Sequence, residues 1–90
     1  MTIPYRSPET HNYTVTLADV AAALASHPCA SVLLQSDPAN TVNVLFGDSG
    51  NQYMALTPGQ SVVFQVENTN LIYAKRASAV ATVLNYLILL

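Results

Sequence analysis

Ninety residues are enough for one small domain, and a chain that is 51% apolar but only 9% charged is not a disordered one. The net charge of −2, with Arg6, Lys75 and Arg76 as the only basic residues apart from histidine, excludes the neutralisation of a run of phosphates, so no nucleic-acid partner is expected. The charged fraction is also far below the usual ~25%, a poor surface for a lone soluble monomer. A domain of this size buries only roughly 60–65% of the surface its unfolded chain exposes. Burial between copies would add to its stability, so a homo-oligomer is expected.

Met1–Asn12, MTIPYRSPETHN, reads as an extended arm, because Pro4 and Pro8 block a helix and push the residues before them to extended conformations. Tyr5 and Arg6 are residue types that anchor contacts with a neighbour. No apolar run follows Met1, so no secretory leader is expected.

Tyr13–Leu17 alternates Tyr13, Val15 and Leu17 with two threonines, the pattern of a half-buried strand. Ala18–Ser26 is alanine-rich. The four-residue step from Val20 to Leu24 allows one helical turn, and a loop skirting the core fits equally; His27-Pro28 ends either. Strands are then expected at Ala30–Gln35, Val42–Phe46, Gln52–Leu56, Ser61–Val66, Leu71–Arg76 and Val80–Leu90. The turns between them are rich in Asp, Pro, Asn and Gly. In Thr57-Pro58-Gly59-Gln60, proline presets the second position of a type II turn and glycine takes the positive φ required at the third.

About seven strands with turn signals every 8–12 residues indicate an all-β fold. The expected architecture is a small antiparallel β-sandwich, jelly-roll or immunoglobulin-like, over residues 13–90 behind the arm at 1–12. The closing segment AVATVLNYLILL is too short to cross a bilayer as a helix, which needs ~20 residues, so no membrane is expected.

Leu45, Val63, Leu87 and Leu89 fall on strand faces opposite the main core set. Either the register slips, or the last strand is buried on both faces, or these residues form an intersubunit patch, since monomers rarely leave large apolar patches exposed. The low charge favours the patch, and with Tyr5 and Arg6 these four are the expected contact residues.

Reactive groups are few. Gly47–Gly50, GDSG, matches the surroundings of the serine nucleophile in trypsin-like proteases, and His11 and Asp19 precede Ser49 in the matching order. A triad also needs a held base and an oxyanion hole, and a tetrapeptide rich in Gly and Asp between two short strands reads as a turn. His27 and Cys29 form one close pair of soft ligands where a structural zinc site wants two, so no metal is expected. Cys29, among small apolar residues, reads as a buried thiol. Asp19, Asp37, Asp48, Glu9 and Glu67 fall in turns or flanks as solvated carboxylates instead of a glycosidase pair. There is no tryptophan for sugar stacking, although Tyr5, Tyr13, Tyr53, Tyr73 and Tyr86 could substitute. Asn12-Tyr13-Thr14 fits a glycosylation sequon, relevant only to a secreted eukaryotic protein. No cofactor and no enzymatic activity are expected.

Across Cys29–Leu87 one pattern resembles small β-domain proteins of tailed bacteriophages. Asn40, Thr41, Val44 and Gly47 match an "N-T-x-x-V-x-x-G" segment; Leu56, Pro58, Gly59 and Ser61 match "L-x-P-G-x-S"; Asn68, Asn70, Ile72 and Tyr73 match "N-x-N-x-I/L-Y". The likeness implies a virion component, a decoration, head or fibre-associated domain made in the host cytoplasm. The expected function is a capsid decoration or cement protein on the capsid surface, acting as a homotrimer, with the major capsid protein and copies of itself as partners. The alternative is a receptor- or glycan-binding module on a head fibre or tail.

Overall fold

The structure is a computed structural model that describes residues 12–89. The expected arm, with Tyr5 and Arg6, lies outside the described residues save for Asn12, as do His11 and Leu90. Eight strands follow in chain order: β1 (Asn12–Thr16), β2 (Ala22–Ala23), β3 (Ser31–Ser36), β4 (Val44–Gly47), β5 (Met54–Leu56), β6 (Ser61–Gln65), β7 (Tyr73–Arg76) and β8 (Val83–Leu89). One 3-10 turn, Thr69–Leu71, lies between β6 and β7.

The strands form two four-stranded sheets with orders β1-β8-β3-β6 and β2-β7-β4-β5, and every pairing is antiparallel. The protein is a small antiparallel β-sandwich. Strands one and eight, two and seven, three and six, and four and five are all hydrogen-bonded neighbours. The chain is therefore one long hairpin, doubled at the β4–β5 turn and rolled so that successive strands along each arm alternate between sheets, β4 and β5 sharing the second. That is the order of a jelly roll, which selects it over the immunoglobulin-like arrangement.

Alternation along each strand sends one set of side chains between the sheets. From the first sheet come Val32, Leu34, Leu84, Tyr86 and Ile88, and from the second Val44, Phe46, Leu56 and Ala74, all buried. Leu17, Leu24 and Ile72 close the core from the connections. Burying a large aliphatic or aromatic side chain contributes roughly 1.5–3 kcal/mol, so these few side chains supply most of what the domain has. Val62, Phe64 and Val66 point inward as the alternation requires, but are only half-buried because β6 is the rim of its sheet. Phe64 meets Phe46 of the facing sheet edge-on, with centroids 5.3 Å apart.

Several boundaries differ from the sequence expectation. Ala18–Ser26 is not helical: Val20 is 78% exposed while Leu24 is buried, so the two share no apolar face. Leu24 instead donates its N–H to the Ile72 carbonyl, and the segment runs extended, supplying the eighth strand, β2, only two residues long. The strand expected from Leu71 starts at Tyr73, because the Asn68 side chain accepts from the Asn70 N–H and winds Thr69–Leu71 into the 3-10 turn. The last strand begins at Val83, since Val80 donates back to the Ser78 carbonyl in a tight turn. Residues 41–42 form a bend and the strand starts only at Val44, so Val42 does not share a strand face with Val44 and Phe46.

Candidate interaction surface

The register of the first sheet determines what its outer face presents. Asn12, Leu87, Leu33 and Val63 lie side by side across all four strands. On one side of that row, Thr14, Asn85, Gln35 and Ser61 form a second row; on the other, Leu89, Ser31 and Gln65 form a third. With Thr16 and Val83 these positions complete the face, and none of them carries a charged side chain. A solvated sheet face ordinarily alternates polar and charged residues outward. Here the central row is aliphatic across three neighbouring strands, and Val63 is 53% exposed.

Beside that row lies a polar ladder. The Thr14 hydroxyl donates to Asn85 Oδ1 (3.0 Å), while Asn85 Nδ2 donates to Asp37 Oδ2 (3.1 Å) and to Gln35 Oε1 (3.4 Å). The Asp37 carboxyl is held below the usual carboxylate range, first by the Ala39 backbone N–H and then by the Asn85 amide. The ladder and the aliphatic row border a shallow depression of about 250 Å³ lined by Thr14, Leu33, Gln35, Asn85 and Leu87.

Of the expected contact residues, Val63, Leu87 and Leu89 come together on this face. Leu45 does not join them: it lies on the second sheet, half-buried between Ala55 and Lys75. Tyr5 and Arg6 lie outside the described residues. Sequence reasoning missed Leu33, the centre of the row. The signal was present in Ala30–Gln35, where Val32 and Leu34 facing inward force Leu33 outward, but a continuous apolar run hides which face is which.

The residues that carry the phage resemblance have structural duties. The Asn40 amide serves as a substitute strand residue: Nδ2 donates to the Val83 carbonyl and Oδ1 accepts from the Val83 N–H, both at 2.8 Å. Gly47 leaves no room for a Cβ, which would collide with the Asn51 carbonyl. Gly59 has φ +83°, and the Gln60 N–H bonds the Thr57 carbonyl, as expected of the type II turn. Asn68 Oδ1 accepts from the His27 N–H at 3.0 Å, and the buried Thr69 hydroxyl donates to the Ala25 carbonyl at 2.6 Å. Together they latch the segment before β3 to the segment after β6.

The reactive groups are similarly engaged. Asp48 Oδ1 accepts from the N–H groups of Gly50 and Asn51, both at 2.9 Å, making Gly47–Gly50 a closed turn with Ser49 exposed. His27 stacks on Tyr13 with centroids 4.0 Å apart, and Tyr13 on Tyr86 at 5.4 Å. The half-buried Cys29 thiol donates to the Val66 carbonyl, and burial pushes its pKa up, away from a reactive thiolate. Among the described residues no three of His, Cys, Asp and Glu lie close enough together to hold a metal ion.

No family model matches this chain, and none of the curated proteins or solved structures matches it either.

Proposed function

We propose that this chain is a structural virion protein that decorates a phage head and cements its capsid subunits, acting as a homo-oligomer by adhesion and not by catalysis. The observation that carries this reading is the outer face of the first sheet, where Leu33, Val63 and Leu87 form a row among strand positions that carry no charge, with the Asp37 carboxylate at the border of the face. Burial of such a face against a shell contributes at roughly 25 cal/mol/Å², less the ordering costs of association. An oligomer docks several such faces at once, which strengthens a weak single contact. Jelly rolls include viral capsid domains, a fold-level analogy that agrees with the phage resemblance of Asn40, Gly47 and Gly59 without assigning a function. The test is co-sedimentation with purified heads of the phage that encodes the chain. Saturable binding that raises the heads' resistance to heat is expected; protein left wholly in the supernatant overturns the proposal.

A second reading, glycan binding on a fibre or tail, draws on the depression beside the Thr14–Asn85–Gln35 ladder. Jelly rolls also include lectin domains, and an amide-lined hollow over aliphatic side chains suits a sugar ring. Saturable binding on a glycan array, lost in Asn85→Ala, would favour this reading over cementing.

A further inference from the structure

Sandwich sheets have edges, and a sequence normally protects them by shortness, charge, proline or bulges. The second sheet follows that rule, since its edge strands β2 and β5 are two and three residues long. The first sheet does not: both of its edge strands, β1 and β6, are five residues long with no charge, proline or glycine, but β1 turns only Asn12, Thr14 and Thr16 outward, whereas β6, Ser61-Val62-Val63-Phe64-Gln65, brings the exposed Val63 and the aliphatic row to its rim. Nothing pairs with its outer side among the described residues.

Backbone bonds on the two sides of β3 show which groups of β6 are left over. The Ser36 N–H reaches the Gln60 carbonyl at 3.0 Å on the β6 side, and the Asp37 N–H reaches the Val83 carbonyl at 3.2 Å on the β8 side. Strand alternation then turns the backbone groups of Val62 and Phe64 toward β3 and those of Ser61, Val63 and Gln65 outward.

We propose that β6 is the pairing edge for a second copy of this chain, joined antiparallel about a two-fold axis through Val63. The polarity of the strand reads the same from either end. A two-fold at Val63 sets Ser61 opposite Gln65 of the other copy, polar on polar on the outer face. It sets Val62 opposite Phe64, apolar on apolar on the inner face, where both are only half-buried in one copy. Glu67, the nearest charge after the strand, falls opposite Gly59, so no like charges meet. Such self-complementarity is what an isologous contact requires. The aliphatic row Leu87–Leu33–Val63 then continues without a break into Val63–Leu33–Leu87 of the second copy. The turn Thr57–Gln60 joins β5 to β6, so the exposed Tyr53 and Met54 lie on the same flank of the sandwich and add apolar surface there. The elementary contact is thus two-fold, in place of the threefold one expected with the virion reading.

This inference deepens the adhesive reading by naming one of its partners, and its test separates the two. Sedimentation equilibrium of the full chain is expected to give twice the chain mass. Val63→Lys and Val63→Asp are each expected to fall to half the wild-type mass, with β-sheet circular dichroism unchanged. Mixing the two variants is expected to restore the double mass, because only a residue that meets itself on the axis is rescued by the opposite charge at the same position. Hydrogen exchange on wild type provides a measurement that needs no variant: the Ser61, Val63 and Gln65 amides are expected to be protected at high concentration and to lose protection on dilution. A wild-type monomer, variants of unchanged mass, a mixture that stays at half mass, or concentration-independent exchange at those amides overturns the proposal. A protein that pairs in this way but ignores phage heads removes the cement reading and leaves this one standing.

Discussion

Single residues hold the loops of this protein in place, and their removal has defined costs. Asn40 makes both backbone bonds to Val83 that a neighbouring strand would make. Asn40→Ala leaves the Val83 N–H unpaired, while the Val83 carbonyl keeps the Asp37 N–H, a loss of about 1–3 kcal/mol that urea denaturation will read as a lower midpoint. Gly59, at φ +83°, sits where an L side chain is strained, and Gly59→Ala is expected to cost about 1–2 kcal/mol although open space surrounds the site. Two carboxyls make stability depend on acid. Asp19 is held below its ordinary pKa by the hydrogen bond and charge of Arg76 (2.8 Å), and Asp37 by the Ala39 N–H and Asn85. In the unfolded chain both return to about 3.9, so between the folded and unfolded values the unfolded state binds more protons. Their contribution is present at neutral pH and lost as pH falls through the folded values. The melting temperature is therefore expected to fall on acidification below about pH 4, and Asp37→Asn to flatten part of that fall. An unchanged acid slope in the variant would contradict the assignment.

At the scale of elements, alternation and turn chemistry carried the sequence reading a long way. β1, β3, β6 and β8 fall within one to three residues of their expected bounds, and the inward positions Val62, Phe64 and Val66 are as the pattern indicates. Where the reading departed from the structure, a long-range contact overrode a local signal. Val20 and Leu24 have helical spacing, but the Ile72 carbonyl draws Leu24 into an extended segment. Leu71 looks like strand, but the Asn68 side chain winds it into a turn. The candidate face was half visible: Val63, Leu87 and Leu89 were readable as outward, whereas Leu33 became outward only once β3 was placed between β6 and β8. Leu45 shares their polarity pattern, and only the pairing partners Ala55 and Lys75 assign it to the other sheet. The arm adds a prediction at this scale. If Tyr5 and Arg6 anchor the protein to a neighbour, removing Met1–His11 lowers its affinity for phage heads while thermal stability holds; equal binding by the truncated chain would contradict that role.

For the whole molecule, the rolled hairpin explains why a chain of 90 residues with so little charge presents two unlike sheet surfaces. Rolling places alternate strands of each hairpin arm in the same sheet, so segments far apart in sequence, Leu33, Val63 and Leu87, become lateral neighbours. The second sheet keeps short edges and a lysine on its outer face, while the first keeps a longer open edge at β6 and an outer face whose strand positions carry no charge. That asymmetry is the physical content of the adhesive reading, and Leu33 at its centre is the residue to change. Leu33→Asn alters a half-buried outer position and is expected to shift stability by no more than about 1 kcal/mol. The decisive measurement is the binding isotherm of this variant and of wild type on purified phage heads. Wild type is expected to saturate the heads and the variant to lose at least about tenfold in affinity, the effect of ~1.4 kcal/mol. A variant that binds as tightly as wild type would contradict adhesion through this face.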